Sequence, residues 1–258
     1  MSFGKNPKNF NKGRKGARKK VGDRFLKKEW WTIRAPGMFQ ERNFTKSPVN
    51  VTAGKKLSSD AMKGRIYEAN LGDLCPGVKA NKKIQLVVDD TDGGSKLALT
   101  NFYGMNTTTD HTCSLIRKWH SLIECHVDAK TQDGFLMRFF LLATTKKNSQ
   151  RQLKATCFAQ RSQIKQIRKI MTQTVTKEVK KVNLRELIPK LVDESIVSSI
   201  TEKAKQIFPI QNCLIRKVKT TKRARFDMTQ LLQMHSDVNV ISKKEEKTET
   251  TGQNLIDA

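Results

Sequence analysis

HVDAKTQDGFLMRFFLLATT, residues 126–145, is the stretch that decides the fold. Gln132-Asp133-Gly134 separates two runs of strand-forming residues. Asp-Gly supplies the positive backbone angles that a tight hairpin loop requires. The spacing predicts one strand over His126–Thr131 and a second over Phe135–Thr144. The second arm is almost continuously apolar. A strand with no polar face belongs in the middle of its sheet, so the rest of the chain must supply its neighbours.

Toward the N-terminus, Thr109-Asp110 is a helix start: a capping residue, then an acid in the first turn. The pattern extends this helix to about Cys125. Leu115, Ile116, Trp119, Leu122 and Ile123 form its apolar face, and Arg117, Lys118 and Ser121 point outward. Asp92-Gly93-Gly94 predicts a hairpin turn between strands at Ile84–Asp89 and Leu97–Phe102. Ala61–Leu74 predicts a further strand around Arg65–Leu71. Asn43–Ala53 is strand-like at Val49 and Val51. Trp30, Trp31 and Ile33 mark the first strand, which Ala35-Pro36-Gly37 ends in a turn.

Toward the C-terminus, Lys154–Gln160 has the character of one more strand. Ile164, Ile167, Met171 and Val175 then recur at helical spacing. Arg161, Lys165, Arg168 and Thr172 fall on a different face of that helix. Helices are expected over Asn183–Leu191 and Glu194–Phe208, the second stopped by Pro209. A last strand, Ile210–Val218, precedes a short helix at Met228–Met234. The organisation expected is a basic arm over 1–24, a globular part over 25–235 and a polar tail over 236–258.

Charge points to the partner. The 258 residues carry a formal net charge of +26. That much self-repulsion is typical of a chain that meets a polyanion. The cations are blocked. Between Lys146 and Lys169 stand eight basic residues and no Asp or Glu. The arm holds a second block facing a single acid, Asp23, and Arg216–Arg225 a third with none. No apolar run approaches the roughly eighteen residues that signal a membrane span, and no secretory core opens the chain. Five scattered cysteines suit reduced thiols, not a disulfide framework.

Catalytic and metal chemistry lack their residue patterns. His111, Cys113, His120, Cys125 and His126 crowd one segment, but His111 and Cys113 do not share a helical face, and no second ligand pair stands at zinc-finger spacing. Asp89, Asp90 and Asp92 run into Gly93-Gly94, as turn residues do. No glycine loop leads to the Lys-Ser/Thr of a phosphate cradle. An RRM's aromatic motifs and a KH loop are also missing. No cofactor, small-molecule substrate or enzymatic activity is expected.

Lys63-Gly64-Arg65-Ile66-Tyr67-Glu68-Ala69-Asn70-Leu71-Gly72-Asp73-Leu74 resembles the signature of an archaeal and eukaryotic small-subunit ribosomal protein family, the e-S-one family, formerly S-three-a. Lys27–Trp30, Ala35–Phe39, Leu99–Met105, Arg117–Trp119, Val127–Gly134, Gln166–Lys169 and Arg216–Lys219 are similar too, in order, over roughly residues 4–235. Asn70 departs from the Ser or Cys usual in that signature.

The resemblance implies an α+β fold: a curved, largely antiparallel, barrel-like sheet with packed helices and a basic terminal extension. It implies a structural constituent of the cytoplasmic small subunit at the platform near the messenger exit, supporting translation and subunit assembly after nucleolar passage. Expected partners are small-subunit ribosomal RNA, neighbouring platform proteins and a multisubunit translation initiation factor. A free RNA- or DNA-binding regulator is the alternative.

The candidate RNA contacts are Arg14, Lys15, Arg18, Lys19 and Lys20 in the arm, then Lys27 and Lys28. Lys146, Lys147, Arg151, Lys154, Arg161, Lys165 and Arg168 form the second block. Arg216, Lys217, Lys219, Lys222 and Arg223 form the third.

Overall fold

The computed structural model describes residues 22–78, 80–147 and 155–236. Nearly all of the expected arm, the tail beyond Ser236, and Arg151 and Lys154 lie outside the described residues. The strands are β1 (Lys28–Arg34), β2 (Asn43–Asn50), β3 (Ile66–Asn70), β4 (Lys82–Asp92), β5 (Leu97–Thr107), β6 (Leu122–Lys130), β7 (Leu136–Thr145) and β8 (Ile210–Lys222). The helices are α1 (Ser58–Met62), α2 (Leu71–Leu74), α3 (Thr109–Leu115), α4 (Arg161–Lys180), α5 (Leu184–Val192), α6 (Ser195–Lys205) and α7 (Met228–Ser236).

The hairpin forms where its turn chemistry demands. β6 and β7 pair from Leu122↔Thr144 to Lys130↔Leu136 without a slip, and Gly134 takes φ +94° in the turn. β7 is interior, between β6 and β8. Met137, Phe139, Leu141 and Ala143 point into the main core. There α4 lays Ile167, Met171, Val175 and Val179 against the sheet, with α5 and α6 completing the cover.

β5 is the branch point. One of its edges pairs with β4 along its whole length, and β3 continues that side. Its other edge is shared. Leu97–Leu99 pair in parallel with Thr32–Arg34 of β1, and Gly104–Asn106 pair antiparallel with Lys219–Lys217 of β8. The resulting α+β fold has a largely antiparallel sheet of eight strands, bent at several bulges and not closed into a barrel.

Three expectations need correction. The helix from Thr109 ends at Leu115, not near Cys125. Leu122 and Ile123 belong to β6, because strand pairing with β7 offers Ile123 complete burial. Ile116 and Trp119, placed on an apolar helix face by their spacing, stand 62% and 52% exposed. Lys154–Gln160 contributes, among its described residues, only an isolated bridge from Cys157 to His120. Ala61–Leu74 is a five-residue strand between the short helices α1 and α2. Asn70 ends that strand and caps α2, its side-chain oxygen accepting from Gly72 N at 3.2 Å.

α7 is latched through His235, whose Nε2 lies 2.8 Å from Thr100 O. A carbonyl only accepts, so Nε2 carries a proton and donates it to Thr100 O. Burial pushes the His235 pKa down, against the Thr100 bond, with Arg34 and Arg42 adding to the effect. The unfolded chain binds a proton below about pH 6.5, where the folded ring resists it. His235 therefore leaves stability unchanged above that pH and erodes it below, by up to about 1.4 kcal/mol per pH unit. Denaturant titrations from about pH 7.5 to about pH 5.5, spanning the ordinary histidine pKa, should show a loss in the parent that His235→Gln removes. Parallel pH profiles would refute the latch.

Candidate nucleic-acid interface

Lys27 closes a 3-10 turn ahead of β1 and is exposed. Lys28 opens β1 and donates to the Asn50 side chain at 3.0 Å. Lys146 and Lys147 leave the end of β7 and are exposed. Arg161, Lys165 and Arg168 are exposed along α4. Arg168 has one structural duty: its Nε donates to Glu124 O on β6 at 3.0 Å. That bond occupies a free carbonyl of the edge strand and leaves the guanidinium's other donors uncommitted.

β8 presents the third block. Lys217 and Lys219 alternate with buried Val218 and Thr220, so both face outward. Arg216 is the extra residue of a bulge, since Phe140 pairs with Lys217 and Leu141 with Ile215. Lys222 ends the strand in the open. In cross-strand rows, Lys217 lies opposite Asn106 and Phe140. Lys219 lies opposite Arg138, which in turn faces Asp128. Like charges directly opposite each other repel, and one carboxylate offsets only half of that Arg–Lys row.

Carboxylate pairing decides which cations are spent inside the protein. Arg138 grips Asp128 with two bonds, at 2.6 and 2.7 Å. The Arg138 bond holds the Asp128 carboxyl below its usual range. Arg223 meets Asp89 at 3.2 Å and lies over the Tyr103 ring. Among the described candidates, Arg223 is the one with a carboxylate partner. Lys27, Lys28, Lys146, Lys147, Arg161, Lys165, Arg168, Arg216, Lys217, Lys219 and Lys222 have none among the described residues.

The blocks are not gathered into one patch. Lys146 hydrogen-bonds through its N–H to Pro209, beside the start of β8, whereas Lys222 ends that strand. At about 3.3 Å per residue the two ends lie roughly 40 Å apart. The cations form an extended track, suited to the surface of a large anion.

The described residues contain no group of three His, Cys, Asp or Glu side chains placed to hold a metal. Cys213 is buried and its thiol is pushed up to about 12 by that burial, which makes it inert near neutrality. No described helix is long and apolar enough to cross a membrane.

Residues 16–224 match the family model described as the Ribosomal S3Ae family. The chain belongs to that family. Similar relatives are named small ribosomal subunit protein eS1. The one from Plasmodium falciparum is 47% identical over 257 residues, covering 96% of this chain and 97% of its own. That from Brugia malayi is 44% identical, covering 95% and 93%, and that from Plasmodium vivax 48%, covering 92% and 89%. As an S3Ae-family member the chain is a ribosomal protein with a structural role, not an enzyme. Spacing alone had missed Arg138, paired with Asp128 across β7 and β6, and the exposed rings of Trp119 and Phe158. Arg138's alternation out of an apolar strand was the available signal.

Proposed function

We propose that the chain is a structural constituent of the small ribosomal subunit that binds ribosomal RNA at the platform near the messenger exit. It supports translation and subunit assembly from the cytoplasmic ribosome, with passage through the nucleolus. Neighbouring platform proteins and a multisubunit initiation factor are its further partners. The observation that carries this is the track of outward-facing cations on α4 and β8 with no carboxylate partner among the described residues. Arg14, Lys15, Arg18, Lys19, Lys20, Arg151 and Lys154 extend the same contact set.

Each phosphate neutralised steepens the dependence of log affinity on log salt by about 0.7 to 0.9. Replacing Lys165, Lys217 and Lys219 together with glutamine should reduce that slope by roughly two units. Arg223→Gln should leave the slope unchanged, because Asp89 already holds that charge. Equal slopes for the triple variant and the parent would refute the track. In a sucrose gradient at moderate salt, the chain should travel with the small subunit. Sedimentation away from it would overturn the assignment.

A further inference from the structure

At the end of the sheet where β7 passes into Lys146, three segments are tied together. Cys157 N donates to Trp119 O at 2.9 Å, Thr145 N to Ser121 O at 3.2 Å and Ala159 N to the Ser121 hydroxyl at 3.1 Å. His120 and Cys157 form the bridge between two of them. Trp119 and Phe158 flank this bridge, and they are 52% and 57% exposed although the Cys157 beside them is fully buried. Ile116 and Leu122 are exposed on the same segment. Large apolar side chains left open together mark a contact surface.

The backbone singles out Trp119. Its φ is +69°, a region that a bulky residue enters only when its surroundings enforce it. Glycine would sit there without strain, so the turn itself does not ask for an indole. Lys118 Nζ lies 4.9 Å from the ring centroid. The tied segments, 116–123, 144–147 and 155–165, hold Arg117, Lys118, Lys146, Lys147, Arg161 and Lys165 and contain no Asp or Glu.

Exposed rings among unopposed cations need a partner that offers flat apolar faces and negative charge at once. An RNA duplex presents phosphates but hides its base faces. An unpaired stretch presents both. We propose that this cluster binds single-stranded RNA, stacking bases on Trp119 and Phe158 while Lys118 and Lys146 hold the flanking phosphates. The proposal rests on the RNA-binding function above and adds the class of RNA that this end of the sheet takes.

The test uses the full chain with a labelled oligouridylate and an RNA duplex of equal length, read by fluorescence anisotropy at one salt concentration. Trp119→Gly and Phe158→Ser should each weaken single-strand binding roughly tenfold, the scale of one lost base stack. Duplex affinity and melting temperature should hold, and Trp119→Phe, which keeps a ring, should retain most of the binding. A readout without loss of either ring uses Trp30→Phe, which leaves buried Trp31 and exposed Trp119 as the tryptophans. Trp119 emission should then change with the single strand and not with the duplex. Binding of both RNAs that ignores the rings would overturn this proposal alone. Ring-dependent binding of an acidic apolar peptide, with none for the single strand, would replace it by a protein partner. Failure to bind either RNA would overturn both this proposal and the RNA-binding function.

Discussion

Gly104→Ala is expected to destabilise the protein by about 3 kcal/mol, near the upper end for overpacking in a core. A Cβ built at Gly104 would sit 2.7 Å from Val218 O and 3.1 Å from Gln85 Oε1. The first neighbour is backbone and cannot swing aside. Gly104 has no unusual φ among the values that single out glycines here, so space, not conformational freedom, is what it provides. The contact lies in the short pairing of β5 with β8, Gly104↔Lys219 to Asn106↔Lys217. That pairing joins the two halves of the sheet and sets the outward aim of Lys217 and Lys219. RNA binding should fall with stability. Gly94→Ala is the control: its added carbon would meet only Asp92 Oδ1, at 3.6 Å, so a change within about 0.5 kcal/mol is expected. Urea titration of both variants decides the matter, and an unshifted midpoint for Gly104→Ala would refute it.

The second large effect is expected at Lys82. Its ammonium is buried, yet well partnered. It donates to Leu191 O at 3.0 Å and Val192 O at 3.2 Å, and meets Glu194 at 2.8 Å. Two of those partners are terminal carbonyls of α5, whose dipole favours a cation there. At the other end of the same helix, Asp133 of the β6–β7 turn accepts from Leu184 N at 2.7 Å. α5 is thus capped at both ends by charges from other elements, each of the sign its dipole favours. Lys82→Met keeps the apolar stem but strands two buried carbonyls, costing about 2–3 kcal/mol. Glu194→Gln should cost under about 1 kcal/mol, because a side chain 43% exposed is mostly served by water. Chemical denaturation of both variants measures the asymmetry. Equal costs would show that the ion pair, not the helix end, is what Lys82 serves.

These two sites show where sequence reasoning stops. The β6–β7 hairpin was legible because Asp133-Gly134 carries its turn chemistry locally. The apolar stripe of α4 was legible because helical spacing is a local property, and burial of Ile167, Met171 and Val175 follows it. The stretch after Leu115 misled because Leu115, Ile116, Trp119, Leu122 and Ile123 satisfy a helical period while β7 offers Leu122 and Ile123 a strand partner. Pairing between distant segments outweighed local period there. The role of Asn70 was equally hidden, since it depends on α2 beginning at the next residue.

Net charge, its acid-free blocks, the hairpin and the amphipathic helix were determined by the chain alone, because each is a property of neighbours in sequence. Which cations are spent internally was decided only by tertiary structure: Arg223 finds Asp89 134 residues away. So were the cap that Lys82 places on α5, 109 residues on, the space that Gly104 must leave for β8, and the exposure of Trp119 and Phe158. The physical reason is common to all four. Burial, ion pairing and steric clearance are set by what the folded chain brings near, and no local pattern encodes it.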